Sequence, residues 1–317
     1  GGFADVYRGT FNGKFVALKC MRLHVFCREA VVWKRLNHPH IVPFIGIDPS
    51  NQACIVSEWM EHGDVMSYIE SHPRANRVQL ITDIARGLEY MHASGVVHGD
   101  LKSRNVLVDS LGYARLSDFG LATTVLGTTS LAPTAGPSAN WGSFHYMPPE
   151  LFDPMVQDKR LTWKSDVYAF GMTAWEVSAS STSLNHVNRS DLQIFDGRHP
   201  FFHVANMFLV IREVLDGVRP TRPLHAGLDD FIWSNAISSC WVANPSERPR
   251  ISEVLNRLQW YETARRLIAK LLDEGLAEVD RQGLDEMLST GWPRHHVPTS
   301  SVLNSHRDGQ ECYFQYR

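Results

Sequence analysis

The stretch VVHGDLKSRNVLVD, Val96 to Asp109, sets an aspartate, a lysine and an asparagine between two apolar, β-branched runs. The flanks read as short buried strands and the polar middle as a turn. Asp100 and Asn105 there, with Asp118 at the end of the next strand signal, offer carboxylate and amide oxygens. Such a set suits a hard divalent cation that shares a phosphate. A carboxylate left free of metal can orient a hydroxyl and accept its proton. Lys102, two residues after Asp100, can neutralise charge on a transferring phosphoryl group. Asp and Asn are also common turn formers, so on this stretch alone phosphoryl transfer and a plain turn both stand.

Outward from the stretch, the chain divides by periodicity. Residues 3 to 60 read as short strands. FADVYRGTF alternates, Asn12-Gly13 marks a hairpin, and KFVALKCM returns. FIGID and ACIVSEWM supply two more strands, and one helix is expected over CREAVVWKRLNH, ended by His38-Pro39. From about residue 64 the period becomes helical. NRVQLITDIARGLEYMHASG carries apolar Val78, Ile81, Ile84, Ala85, Leu88 and Met91, with Gly95 as its stop. NVLVD and ARLSDF form a strand pair about Ser110-Leu111-Gly112, and 123–143 reads as a long loop. Further helices are expected at KSDVYAFGMTAWEV, VANMFLVIREVLDG, LDDFIWSNAISSC and RISEVLNRL. A polar insertion covers 178–193. The tail starts as a separate amphipathic helix, ARRLIAKLLDEGLAEV, and then loses pattern.

Composition excludes several classes. The 317 residues are 44% hydrophobic and 21% charged, with a formal net charge of -3. That composition supports a sizeable core and gives no electrostatic case for nucleic acid or an anionic membrane. No apolar run approaches the ~20 residues that span a bilayer. Five cysteines, Cys20, Cys27, Cys54, Cys240 and Cys312, are scattered without C-x-x-C spacing. They argue against a disulfide framework or a zinc site and fit a reducing, cytoplasmic compartment. Asn188-Arg189-Ser190 is then a chance sequon. The start at Gly1-Gly2 reads as a fragment of a longer protein, with room for regulatory domains before it.

The remaining parts fall in a set order. GGFADVY is a glycine turn leading into a strand, and VALK ends in Lys19 on a strand that needs a partner charge. Glu29, on the only helix of the first region, is the natural partner. With HGDLKSRN, Asp118-Phe119-Gly120, MPPE at 147–150, KSDVYAFG and NPSERPR, the chain resembles a eukaryotic protein kinase over residues 1 to 260. The mixture of DLK and GSFHYMPPE with IVSEWMEHGDV and CWVANPSERP resembles the tyrosine-kinase-like group of serine/threonine kinases, in the style of fungal members with an H-G-D loop.

The resemblance implies a bilobal α+β fold, with a small antiparallel sheet and one helix at 1–60 and a larger, mainly helical lobe at 61–260. The tail, 261–317, stands apart. It implies ATP and Mg2+ as cofactors and protein hydroxyls as acceptors in signal transduction. Asp100 becomes the base, Lys102 steadies the γ-phosphate, and Asn105 and Asp118 hold magnesium. Lys19, braced by Glu29, grips the α/β-phosphates. Gly1, Gly2 and Val6 cover the nucleotide, with Val6, Ala17 and Leu107 about the adenine. Ser57 guards the back of the pocket, Glu58 and Met60 offer hinge backbone groups, and Ser143 positions the acceptor. His98, Phe119, Trp33 and Phe44 form an internal column.

Departures mark this chain within the resemblance. Gly99 replaces the usual arginine of H-R-D, which implies a domain not switched through an arginine–phosphate clamp at Thr123, Thr124, Thr128 or Thr129. Ala4 stands at the third loop glycine, and the first is absent. Lys19 and Glu29 lie ten positions apart, close for the family yet within reach, so the helix is expected to lose its first turns. These features keep a scaffolding pseudokinase as the alternative. A small-molecule phosphotransferase is disfavoured by MPPE and NPSERPR.

Overall fold

The computed structural model describes residues 4–48, 53–124, 143–179, 199–204, 206–223 and 229–273. Chain tracing begins with a hairpin, β1 (Ala4–Phe11) and β2 (Lys14–Met21). The turn between them has φ of 50° at Asn12 and 75° at Gly13. Two left-handed residues match the right-handed twist of paired strands. Only Arg22 separates β2 from helix α1 (Leu23–Trp33). Strands β3 (Phe44–Asp48) and β4 (Cys54–Glu58) complete a four-stranded antiparallel sheet ordered β1-β2-β4-β3.

Helix α1 starts four residues before the stretch assigned to it by periodicity and stops at Trp33, short of His38-Pro39. The direct passage from β2 sets its start. At its end the backbone tightens, with Arg35 N–H donating to Val32 O and Leu36 N–H to Trp33 O.

The cysteine reading needs correction. Cys20 and Cys54 are disulfide-bonded across β2 and β4. Register is the cause: Cys20 lies directly opposite Cys54, and Met21 N–H donates to Ala53 O on the neighbouring pair. Cys20–Cys54 therefore takes the narrow, non-hydrogen-bonded position, where side chains stand closest. Sequence spacing of 34 residues carries no sign of that pairing. Cys27 and Cys240 are free, and Cys312 lies outside the described residues.

Below the sheet the chain is mainly helical. Asp64 caps α2 (Val65–Ser71), and Asn76 caps α3 (Arg77–Ala93) by accepting from Gln79 N–H. The α3 stripe Ile81, Ile84, Ala85, Leu88 and Met91 is buried, and Gly95 follows at φ 69°. Short strands β5 (Val96–Val97), β6 (Val106–Val108), β7 (Ala114–Leu116) and β8 (Thr123–Thr124) come next. They pair as β6–β7 and β5–β8, the second pairing lying outside the strands expected from periodicity. Helix α4 (Trp163–Ala179) is buried at every position from Ser165 onward. A helix buried on every side is the core of its lobe. Packed on it is the helical run 230–241 that opens with α6 (Asp230–Ile232); also helical after α4 are α5 (Met207–Leu215) and α7 (Ile251–Asp273).

Helix α7 runs unbroken from RISEVLNRL to Asp273, into the stretch read separately as ARRLIAKLLDEGLAEV. No Gly or Pro interrupts 251–273, so nothing in the backbone breaks it. The expected long loop beyond Thr124, the insertion from 180 to 193 and the tail beyond Asp273 lie outside the described residues. So do Gly1, Gly2, Thr128 and Thr129.

Candidate active site

Alternation along the sheet decides which side chains share a face. Val6 pairs with Lys19, Lys19 with Ile55, and Ala17 with Ser57. Val6, Ala17, Lys19 and Ser57 therefore line one face of the sheet. The segment after β4 is fastened to β6: His62 N–H donates to Val108 O, Val108 N–H to Gly63 O, and Gly63 N–H to Met60 O. Asp64 bridges Leu107. Met60 is buried, whereas Glu58 is exposed. Ser57 is buried near the end of β4.

Lys19 is the meeting point of the two lobes. Its Nζ lies 2.7 Å from Glu29 Oε1 and 2.8 Å from Asp118 Oδ1. The ten-residue link thus closes the ion pair without strain on its reach. Burial pulls the Lys19 ammonium down, but the Asp118 and Glu29 carboxylates outweigh it and its pKa is raised. Burial pushes Glu29 up despite Lys19. For Asp118, burial is overcome by Lys19 and, further off, Lys102, and its carboxyl sits below the ordinary range. Asp118 takes φ 63°, a left-handed backbone that Asp tolerates better than most residues. That turn sends its carboxylate to Lys19 while Phe119 points into the core.

The opening stretch supplies the second cluster. Lys102 Nζ lies 2.7 Å from Asp100 Oδ2 and 2.8 Å from Ser143 Oγ. Asn105 Nδ2 donates to Asp100 O at 2.7 Å and to Asp100 Oδ2 at 3.2 Å. Among the described residues this leaves Asp100 Oδ1 and Asn105 Oδ1 without partners. Lys102 acts electrostatically on Asp118, so the two clusters adjoin. An amide oxygen on Asn105 and a carboxylate on Asp118 are hard donors, and they fit magnesium.

Backbone support for Asp100 comes from a residue to which sequence reasoning assigned no role. Asp166, at the start of α4, accepts from His98 N–H at 2.8 Å, from Gly99 N–H at 2.9 Å and lies 2.9 Å from His92 Nε2. Its only signal was membership of KSDVYAFG. Asp100 N–H donates to His98 Nδ1 at 3.2 Å, so Nε2–H of that ring donates to Ser117 O. Gly99 adopts φ 81°, and a Cβ there would meet Leu121 O at 2.9 Å. The backbone at this position thus favours glycine.

The expected column is continuous. Ring centroids lie 5.6 Å apart for His98–Phe119, 5.3 Å for Phe119–Trp33 and 6.2 Å for Trp33–Phe44. Trp33 also donates its indole N–H to Val42 O at 2.7 Å. Further down, Arg248 forks onto Glu150 at 2.6 and 2.7 Å, joining MPPE to NPSERPR.

Comparison with known proteins gives the same reading. Residues 1–258 match the family model described as protein tyrosine and serine/threonine kinase. The chain belongs to the protein kinase family. The kinase domain is 31% identical over 280 residues to the serine/threonine/tyrosine-protein kinase HT1 of Arabidopsis thaliana, covering 83% of this chain and 64% of that protein. It is 29% identical over 276 residues to the serine/threonine-protein kinase TNNI3K of Mus musculus, covering 82% of this chain and 30% of that protein. The kinase domain spans less than two thirds of the length of these relatives. Its bilobal α+β architecture is that of the family, and none of its described helices is long and apolar enough to cross a membrane.

Proposed function

We propose that this chain is a serine/threonine protein kinase that moves the γ-phosphoryl group of ATP onto a protein hydroxyl. The observation that carries the reading is the Lys102 ammonium bridging Asp100 and Ser143 beside the Lys19–Glu29–Asp118 set. Lys19, charged and held in place, meets α/β-phosphate oxygens, and Val6, Ala17 and Leu107 enclose the base near the Glu58 and Met60 backbone. Gly1 and Gly2, assigned to the phosphates by the resemblance, lie outside the described residues. Ser143 and Lys102 set the acceptor hydroxyl against Asp100, whose free Oδ1 takes its proton. Lys102 then faces the charge that grows on the transferred group. Asp118 and Asn105 would hold magnesium, which supplies charge neutralisation on the phosphate oxygens when bound.

Relatives named serine/threonine kinases support that acceptor class, as does the DLK form of the loop. A domain that consumes ATP works inside the cell. Gly99 leaves no guanidinium for a loop phosphate, so activity is expected without loop phosphorylation.

The test is magnesium-dependent phosphate transfer to a generic protein substrate by wild type and Asp100→Asn. The variant should lose about 10²–10⁴-fold in turnover while it binds nucleotide as before. Nucleotide binding without turnover in the wild type would make the chain a scaffold instead.

A further inference from the structure

The disulfide lies where it can govern the nucleotide site. Cys20 directly follows Lys19, so their side chains stand on opposite faces of β2. Cys54 opens β4, the strand that continues to Ser57 and the hinge. The 34-residue separation between the two sulfurs encloses the whole of α1. Within that loop sit Glu29, which binds Lys19, and Trp33 and Phe44, half of the column. Only Arg22 connects β2 to α1 at the other end. Fastening residues 20 and 54 therefore fixes the frame in which the Lys19–Glu29 pair forms.

We propose that Cys20–Cys54 is a reversible thiol–disulfide site whose oxidised form tightens nucleotide binding. The coupling rests on the reading of Lys19 as the phosphate-binding lysine. Both cysteines are buried, so the oxidant is a small one of the hydrogen peroxide class. One thiolate attacks a peroxide oxygen and expels hydroxide, leaving a sulfenic acid. The second thiol displaces the sulfenic oxygen, which departs as water. Two thiols and one peroxide thus give one disulfide and two waters. A small dithiol such as dithiothreitol reverses the bond by exchange. The other described cysteines differ. Cys27 is exposed on α1 with no described partner sulfur, and burial pushes the Cys240 thiol up to about 12.

The experiment treats the full chain with hydrogen peroxide or dithiothreitol, maps cross-linked peptides by mass spectrometry, and measures the Kd of a non-hydrolysable ATP analogue with magnesium. Expected are a Cys20–Cys54 cross-link in the oxidised sample alone and a Kd about threefold lower, the gain from pre-organising the site. Cys54→Ala should lose the response and Cys27→Ala keep it. Should Cys54→Ala not fold, titration of wild type in glutathione buffers replaces it. Cross-link and affinity must then change at one midpoint. Absence of the cross-link, or a wild-type Kd indifferent to redox state, overturns the proposal. If Lys19→Ala binds the analogue as tightly as wild type while the cross-link still forms, the reading of Lys19 has failed rather than the thiol pair.

Discussion

Single residues set the chemistry through the backbone positions they hold. Gly99 takes a left-handed φ of 81°, its N–H is held by Asp166, and any Cβ would press on Leu121 O. A left-handed L-residue costs about 1–2 kcal/mol before the contact is counted. Gly99→Ala should therefore lower the melting temperature by several degrees and reduce turnover, since the next residue is Asp100. A variant with wild-type melting and rate would remove the backbone explanation and leave only the regulatory one. Lys102 is read by its neighbours: two bonds hold its ammonium between Asp100, the proposed base, and Ser143. Lys102→Met should cut turnover by at least tenfold with little change in nucleotide affinity, measured by steady-state kinetics beside analogue binding.

Elements carry the pH and stability behaviour. Tyr146 donates to Glu176 Oε2 at 2.6 Å inside α4's packing. Burial pushes the Glu176 carboxyl up to about 7 from 4.5, against the hydrogen bonds of Tyr146 and Ser103. Between those values the folded chain keeps a proton that the unfolded chain has released. Stability from this group is fullest below pH 4.5, falls as pH rises, and levels above about 7. The fall is on the order of 3 kcal/mol. Glu176→Gln keeps an acceptor for Tyr146 and should flatten that part of the curve in urea melts at pH 5 and 8; parallel wild-type and variant profiles would refute it. Arg248, buried and bidentate on Glu150, also ties three backbone carbonyls. Arg248→Ala strands a carboxylate and should cost about 3–5 kcal/mol, read as a lower denaturation midpoint. Much at this scale was legible beforehand. Asn12-Gly13, the α3 stripe and Gly95 are local signals, and the strands and helix they mark were found where expected. The start of α1 was not, because β2 passes directly into it; the β5–β8 pair and the Cys20–Cys54 bond were not, because each depends on which distant strand lies alongside.

At the scale of the whole molecule, residues far apart in sequence meet through the two lobes. Lys19 touches Asp118 across 99 positions, and Trp33 of the upper lobe packs on Phe119 of the lower. Trp33→Ala removes a fully packed ring and an indole hydrogen bond, at about 3–5 kcal/mol. It should lower both melting temperature and turnover, read from thermal melts beside steady-state kinetics. The motif order announced this assembly before any contact was seen. Asp166 was hidden within it, since a carboxylate that serves backbone N–H groups looks like any other acid in a helical run. The fastening of 60–64 onto β6 has a mechanical result. The sheet is joined to the helical body by a strap stitched to the strand that bears Leu107, so on the proposed placement of the base the pivot of the jaws is also a wall of its slot. A small molecule wedged against Leu107 presses on the axle directly, and it would change how wide the mouth opens without reaching any group that handles phosphate.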